Sequence, residues 1–103
     1  KEDATGVMAI RLQGYLFFGS ARSIFVKVSE VLDPEFEGGP VDTIVLDFSG
    51  VSGLDPSAIA SVRQTQDLIC RRGARLLLAG VEEERRTHFD GQGVGSIPTQ
   101  VVA

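Results

Sequence analysis

Four side chains between positions 47 and 57 have the types and spacing to do chemistry: Asp47, Ser49, Asp55 and Ser57. They lie within Leu46-Asp47-Phe48-Ser49-Gly50-Val51-Ser52-Gly53-Leu54-Asp55-Pro56-Ser57-Ala58, read as a buried strand entering a loop and then a helix. In open α/β sheets ligands bind beyond the carboxyl ends of strands, which makes this segment the first place to look for a site. Asp55 has the chemistry of an N-cap and Pro56 suits the first helical position, so Ser57 falls in the first turn. There its hydroxyl sits beside backbone N–H groups at the positive end of the helix dipole, a setting for a bound anion or an attached phosphate. The plainer reading, that Asp55 and Ser57 only cap the helix, stands beside it. Asp47 is expected to bond nearby loop N–H groups rather than a metal.

Other chemistry lacks its partners. A nucleophilic Ser57 needs a base within reach, and the one histidine, His88, lies in a charged stretch read as solvated. A phospho-accepting acidic cluster needs a lysine after a later strand, whereas the only lysines are Lys1 and Lys27. Gly91-Gln92-Gly93-Val94-Gly95 resembles part of a phosphate loop but neither follows a strand nor precedes Lys-Ser/Thr, so it reads as a linker. Cys70 reads as a reduced, half-buried thiol. No enzymatic activity, metal or cofactor is expected.

Composition narrows the class. With 103 residues the chain suits one domain, 1–103, and its 43% hydrophobic content is that of a globular protein. Ten Lys and Arg against fourteen Asp and Glu leave a net charge of −4, which lacks the electrostatic footprint of a nucleic-acid binder. A single cysteine rules out an intramolecular disulfide. No stretch approaches the roughly 20 apolar residues of a membrane-spanning helix. The chain starts at Lys1 with no signal peptide, as expected of a domain excised from a longer protein.

The elements that position the site follow from hydrophobic pattern. Residues 7–12 form a short strand, Gly14 breaks it, and Tyr15-Leu16-Phe17-Phe18 forms a second strand, pairing with the first as a hairpin. The aromatic run is expected mainly in the core. Ser20 is expected to cap a helix carrying Ile24, Val28, Val31 and Leu32, ended by Asp33-Pro34. Residues 35–40 form a loop. Thr43-Ile44-Val45-Leu46-Asp47-Phe48 has the continuous apolar character of a strand covered on both faces. Residues 49–54 then form a turn. A second helix buries Ile59, Val62 and Ile69 and closes at Arg71-Arg72-Gly73, and Arg75–Ala79 forms another buried strand. Glu82–Arg86 opens a short helix, and Ile97 to Val102 forms an edge strand, kept from the sheet centre by Pro98. This β-β-α-β-α-β-α-β order predicts an α/β fold with a small mixed sheet, its later strands parallel.

Val45-Leu46-Asp47-Phe48-Ser49-Gly50-Val51 followed by Leu54-Asp55-Pro56-Ser57-Ala58 resembles the signature of STAS domains, found in sulfate transporters and anti-sigma factor antagonists. Arg72-Gly73 with Leu76-Leu77-Leu78-Ala79-Gly80-Val81 is similar to the family's next helix-to-strand passage. The resemblance covers residues 7 to 90 and implies a STAS-like α/β fold that lacks the family's C-terminal helix. Gly14-Tyr15-Leu16-Phe17-Phe18-Gly19-Ser20-Ala21, with no acid, is similar to the SulP anion-transporter branch, whereas antagonists more often carry Gly-Glu-Leu-Asp there. The resemblance therefore implies a cytoplasmic regulatory and interaction domain of a SulP-type transporter of sulfate, bicarbonate or a dicarboxylate. The implied partners are the parent's membrane domain, a second copy, and a nucleotide at the Asp47, Ser49, Asp55, Ser57 loop. The alternative is a free-standing antagonist or stressosome-type protein, in which Ser57 is the serine a kinase phosphorylates. Pro56 stands where Ser or Thr is usual and Ala58 where Gly is frequent.

Overall fold

The computed structural model describes residues 6–82 and 99–102. Its elements run β1 (Gly6–Leu16), α1 (Phe18–Val31), β2 (Val41–Leu54), α2 (Pro56–Arg71), β3 (Arg75–Ala79) and β4 (Thr99–Val102). The strands form one sheet in the order β1-β2-β3-β4. Every pairing is parallel.

The expected hairpin does not form, and the described sheet is parallel rather than mixed. The chain passes straight through Gly14, whose φ of +80° coincides with a register shift, so residues 7–12 and 15–16 belong to one strand. Phe17 is the N-cap of α1 and Phe18 its first residue, which starts the helix earlier than Ser20 predicts. Ser20 instead acts from inside the first turn. The Phe17 N–H donates to Ser20 Oγ at 3.1 Å, supplying one half of a capping box without a polar cap residue.

β2 is also longer than expected. Residues 49–54 continue the strand instead of turning, because they pair with β1 from Gln13 to Leu16. β2 carries an extra residue opposite β1 at three places, by Asp42, by Phe48 and Ser49, and by Ser52. This is how its 14 residues match the 11 of β1. β3 pairs only as far as Asp47. Beyond that point β1 and β2 run on together as a two-stranded arm.

The core lies on one face of the sheet. Ile44, Leu46 and Phe48 of β2 are buried, as are Leu76 and Leu78 of β3 and Leu12 and Leu16 of β1. Their alternate neighbours Thr43, Val45, Asp47 and Leu77 are only half-buried. The expectation of cover on both faces therefore fails for the described residues. Right-handed crossovers in a sheet that always advances in one direction put both helices on the same side. α1 and α2 pack against each other there. α1 contributes Ala21, Val28 and Val31, and α2 contributes Ala58, Ile59, Val62, Leu68 and Ile69.

The helix ends agree with the sequence more closely. α1 closes at Val31 with Leu32 as its C-cap, just before Asp33-Pro34. α2 ends in a Schellman motif, with Gly73 N–H donating to Cys70 O and Ala74 N–H to Ile69 O, each at 3.0 Å. Arg72 does more than complement its own helix end. Its Nη1 donates to Leu32 O at 3.2 Å, tying the C-termini of the two helices together. β4 lies at the sheet edge as expected. The expected helix at Glu82–Arg86 beyond Glu82, His88, the Gly91–Gly95 linker and Ile97-Pro98 lie outside the described residues.

Candidate functional site

The four singled-out residues form two separate units. β2 carries Asp47 and Ser49 near the end of β3, while Asp55 and Ser57 stand at the far end of the arm. The six steps from Ser49 to Asp55 are extended chain, up to about 20 Å at roughly 3.3 Å per residue. The predicted single loop is thus a strand with a serine–aspartate pair at each end. Pairing with β1 makes the difference, and a Gly-rich segment read alone gives no sign of it.

At the near end, Asp47 Oδ1 accepts the Ser49 N–H at 2.9 Å. Ser49 sits where β2 carries two residues against Leu12 of β1, and Asp47 satisfies the N–H at that irregularity. The Ser49 N–H and then its hydroxyl hold the Asp47 carboxyl below the usual carboxylate range, with Arg11 adding a smaller effect. Arg11 Nε lies 3.9 Å from Asp47 Oδ2, an exposed and weak ion pair. Gly80 presses close from the end of β3, where a Cβ would fall 2.7 Å from Ser49 N.

The far end is built by the turn from β2 into α2. Asp55 N–H donates to Leu16 O at 2.8 Å, closing the arm, and Pro56 begins the helix as expected. Asp55 Oδ2 accepts from the Ser57 N–H at 2.9 Å and also from the Ser57 hydroxyl. These two bonds, the hydroxyl's first, hold the Asp55 carboxyl below the ordinary range. The remaining first-turn donors are occupied as well. Pro56 has no N–H, and Ala58 and Ile59 donate to Asp55 O at 2.8 and 3.3 Å. The helix start therefore offers no free backbone donor, and an incoming anion would meet the Asp55 carboxylate first. Ser57 itself is exposed.

Beside this corner lies a feature the sequence reading placed mainly in the core. Tyr15, Phe17 and Phe18 are 56%, 55% and 55% exposed, and of the aromatic run only Leu16 is buried. Strand alternation sends Leu16 inward and its neighbours outward. Two of these rings lie over glycines. A Cβ on Gly53 would fall 2.5 Å from the Tyr15 ring, and one on Gly19 would fall 2.9 Å from the Phe17 ring. The pairing of Gly53 with Tyr15 across the strands is the signal, and it appears only once the register is known. Among the described residues no three His, Cys, Asp or Glu side chains gather as a metal site. No described helix is long and apolar enough to cross a membrane.

Comparison with known proteins bears on the fold as a whole. The family profile of the STAS domain matches residues 1–100. The fold resembles the anti-sigma factor antagonist SpoIIAA in its unphosphorylated form, at a TM-score of 0.72 and 20% identity over 95% of this chain and 80% of that one. It also resembles the SulP transporter STAS domain from Vibrio cholerae, at 0.69 and 15% identity over 88% of this chain and 66% of that one. A sulfate transporter family protein from Wolinella succinogenes matches at 0.68 and 26% identity, over 88% and 70% of the two chains. No curated protein sequence matches.

Proposed function

Because the chain belongs to the STAS domain family, a family of regulatory and interaction modules, we propose that it is the regulatory domain of a SulP-type anion transporter, working at the cytoplasmic face of the membrane. The observation that carries this reading is the stretch from Gly14 to Ala21, which holds no acid and in which Tyr15, Phe17 and Phe18 stand half-exposed. Exposed aromatic rings held over glycines suit a packing face for another protein surface, with little side-chain entropy left to lose on docking. The transporter's own membrane part is the partner proposed for it. The reading is tested on the gene: membrane-spanning segments encoded in frame upstream of Lys1 support it, and a free-standing reading frame overturns it. In vesicles holding the whole transporter, replacing Tyr15, Phe17 and Phe18 with Ser should change anion uptake without removing the protein from the membrane.

A second reading has its own observation, the exposed Ser57 hydroxyl held by Asp55. In this reading the domain is a switch worked by serine phosphorylation. A phosphate on Ser57 brings about −1.5 to −2 charges against a carboxylate already in hydrogen-bond contact. Repulsion would expel Asp55 from the cap and let phosphate oxygens take its N–H partner, which would reshape the aromatic corner. Mass spectrometry of the Ser57 peptide after treatment with an active kinase from the same cell decides it, and an unmodified peptide counts against it. Nucleotide binding at the same corner has less support, since a free phosphate must displace Asp55 without being tethered.

A further inference from the structure

The first two turns of α1 carry the exposed aromatic corner on along the helix. Phe18, Arg22 and Phe25 follow at i, i+4 and i+7, so they form one row on its surface. Phe18 is exposed, Arg22 is exposed and Phe25 is half-buried. The Arg22 guanidinium carbon lies over the Phe25 ring, 4.7 Å from its centre. Stacking of this kind holds a guanidinium in place and leaves its edge, which carries the N–H donors, open to a further partner. Arg22 makes no ion pair among the described residues.

Charge then decides what fits. The stretch from Gly14 to Ser29 holds no acid. Asp55, whose N–H bonds Leu16 O, has its carboxylate engaged by Ser57. The exposed acids Glu30, Asp33, Glu35, Glu37 and Asp42 come only from the last turn of α1 onward, at the opposite end of the helix from Phe18. The counter-charge for Arg22 must therefore come from another molecule. An anionic bilayer is a poor source, because the chain carries −4 and is repelled as a whole. A second copy is a poor source too. A two-fold contact centred on this row would set Arg22 against its own copy and leave the acids far apart. Aromatic rings with an arginine among them are the composition of a protein–protein contact.

We propose that Tyr15, Phe17 and the Phe18–Arg22–Phe25 row form one docking surface for an apolar protein segment that carries a carboxylate, with Arg22 as the group that receives it. The rings supply the contact area, and the stacked guanidinium selects the acid through paired N–H donors. The inference rests on the docking role of this corner and adds the chemistry of the partner.

The test titrates the chain with a twelve-residue peptide that is apolar on one helical face and has a single Glu at the centre of that face. Counterparts with Gln or Lys at the same position serve as controls, and NMR follows the amides of residues 15–26 and the Arg22 Nε–H. The Glu peptide is expected to shift these resonances and to bind at least about threefold more tightly than the Gln peptide, with the Lys peptide weakest. In Arg22→Gln, a surface change, the Glu and Gln peptides should bind alike. Arg22→Lys should regain only part of the difference, because an ammonium cannot offer the paired donors. Equal affinity of the parent for the Glu and Gln peptides, or a preference for Glu that survives in Arg22→Gln, would overturn the role of Arg22 and leave the docking role standing. Shifts absent from residues 15–26 with all three peptides would overturn both, as would binding there only to phosphatidylserine vesicles or to a second copy seen by sedimentation.

Discussion

The Asp55 carboxylate accepts from both the backbone N–H and the hydroxyl of Ser57, so the side chain that starts α2 also holds the hydroxyl the helix shows to solvent. Capping and exposure of Ser57 are therefore coupled. Asp55→Ala should lower the thermal midpoint, Asp55→Asn should restore most of it, and the Ser57 hydroxyl should become freer in the Ala variant. Thermal melts check the first two. The third is read from the rate at which a non-specific serine kinase modifies Ser57, which should rise in Asp55→Ala.

Acid should weaken the fold through both aspartates. The carboxyls of Asp47 and Asp55 are held below their ordinary range in the folded chain. A group depressed in this way contributes stability above its unfolded value, about 3.9, and loses it as pH falls through the folded value. Denaturant midpoints should be flat above about pH 5 and decline below about pH 4. In Ser57→Ala the Asp55 carboxyl resonance should titrate at higher pH than in the parent, while Asp47 stays where it was.

Gly80 and Gly73 should respond differently to alanine. Both have positive φ, +69° and +75°, which costs an alanine about 1–2 kcal/mol. A Cβ at Gly73 meets nothing within 4 Å, whereas at Gly80 it would press on the Ser49 backbone at 2.7 Å. Gly80→Ala should therefore be the more destabilising in urea melts, and its Ser49 amide resonance should move.

The one-sided core makes neighbouring leucines unequal. Leu78 is fully buried and Leu77 only half-buried. Leu78→Ala should cost about 2–5 kcal/mol, and Leu77→Ala clearly less, in equilibrium unfolding. Equal losses would mean that the second face is also covered.

The chain has one tyrosine and no tryptophan, so Tyr15 reports on the aromatic corner by itself. Gly53→Ala should displace its ring, because the new methyl occupies the space the ring lies in. The change should appear in tyrosine emission and in the ring proton shifts.

Much of the architecture was legible in the sequence because it depends on local chemistry. Asp55-Pro56 can only open a helix well, Gly73 after Arg72 closes one, and the apolar run at 43–48 has no alternative to a buried strand. The STAS signature lay in the same residues. Local chemistry also led the reading astray where pairing overruled it. Gly14 has the character of a break and Gly50 with Gly53 that of a turn, yet β1 and β2 run through all three because each strand provides the other's hydrogen bonds. Alternation along the extended β1 then placed Tyr15 and Phe17 on the surface, and the length of β2 kept Asp47 and Ser49 apart from Asp55 and Ser57. The Asp55 cap, the Gly73 close and the apolar run at 43–48 rest on interactions between residues a few positions apart, so the sequence by itself determined them. The aromatic corner and the occupied helix start were decided only by tertiary structure, since each depends on which distant strand or helix lies alongside.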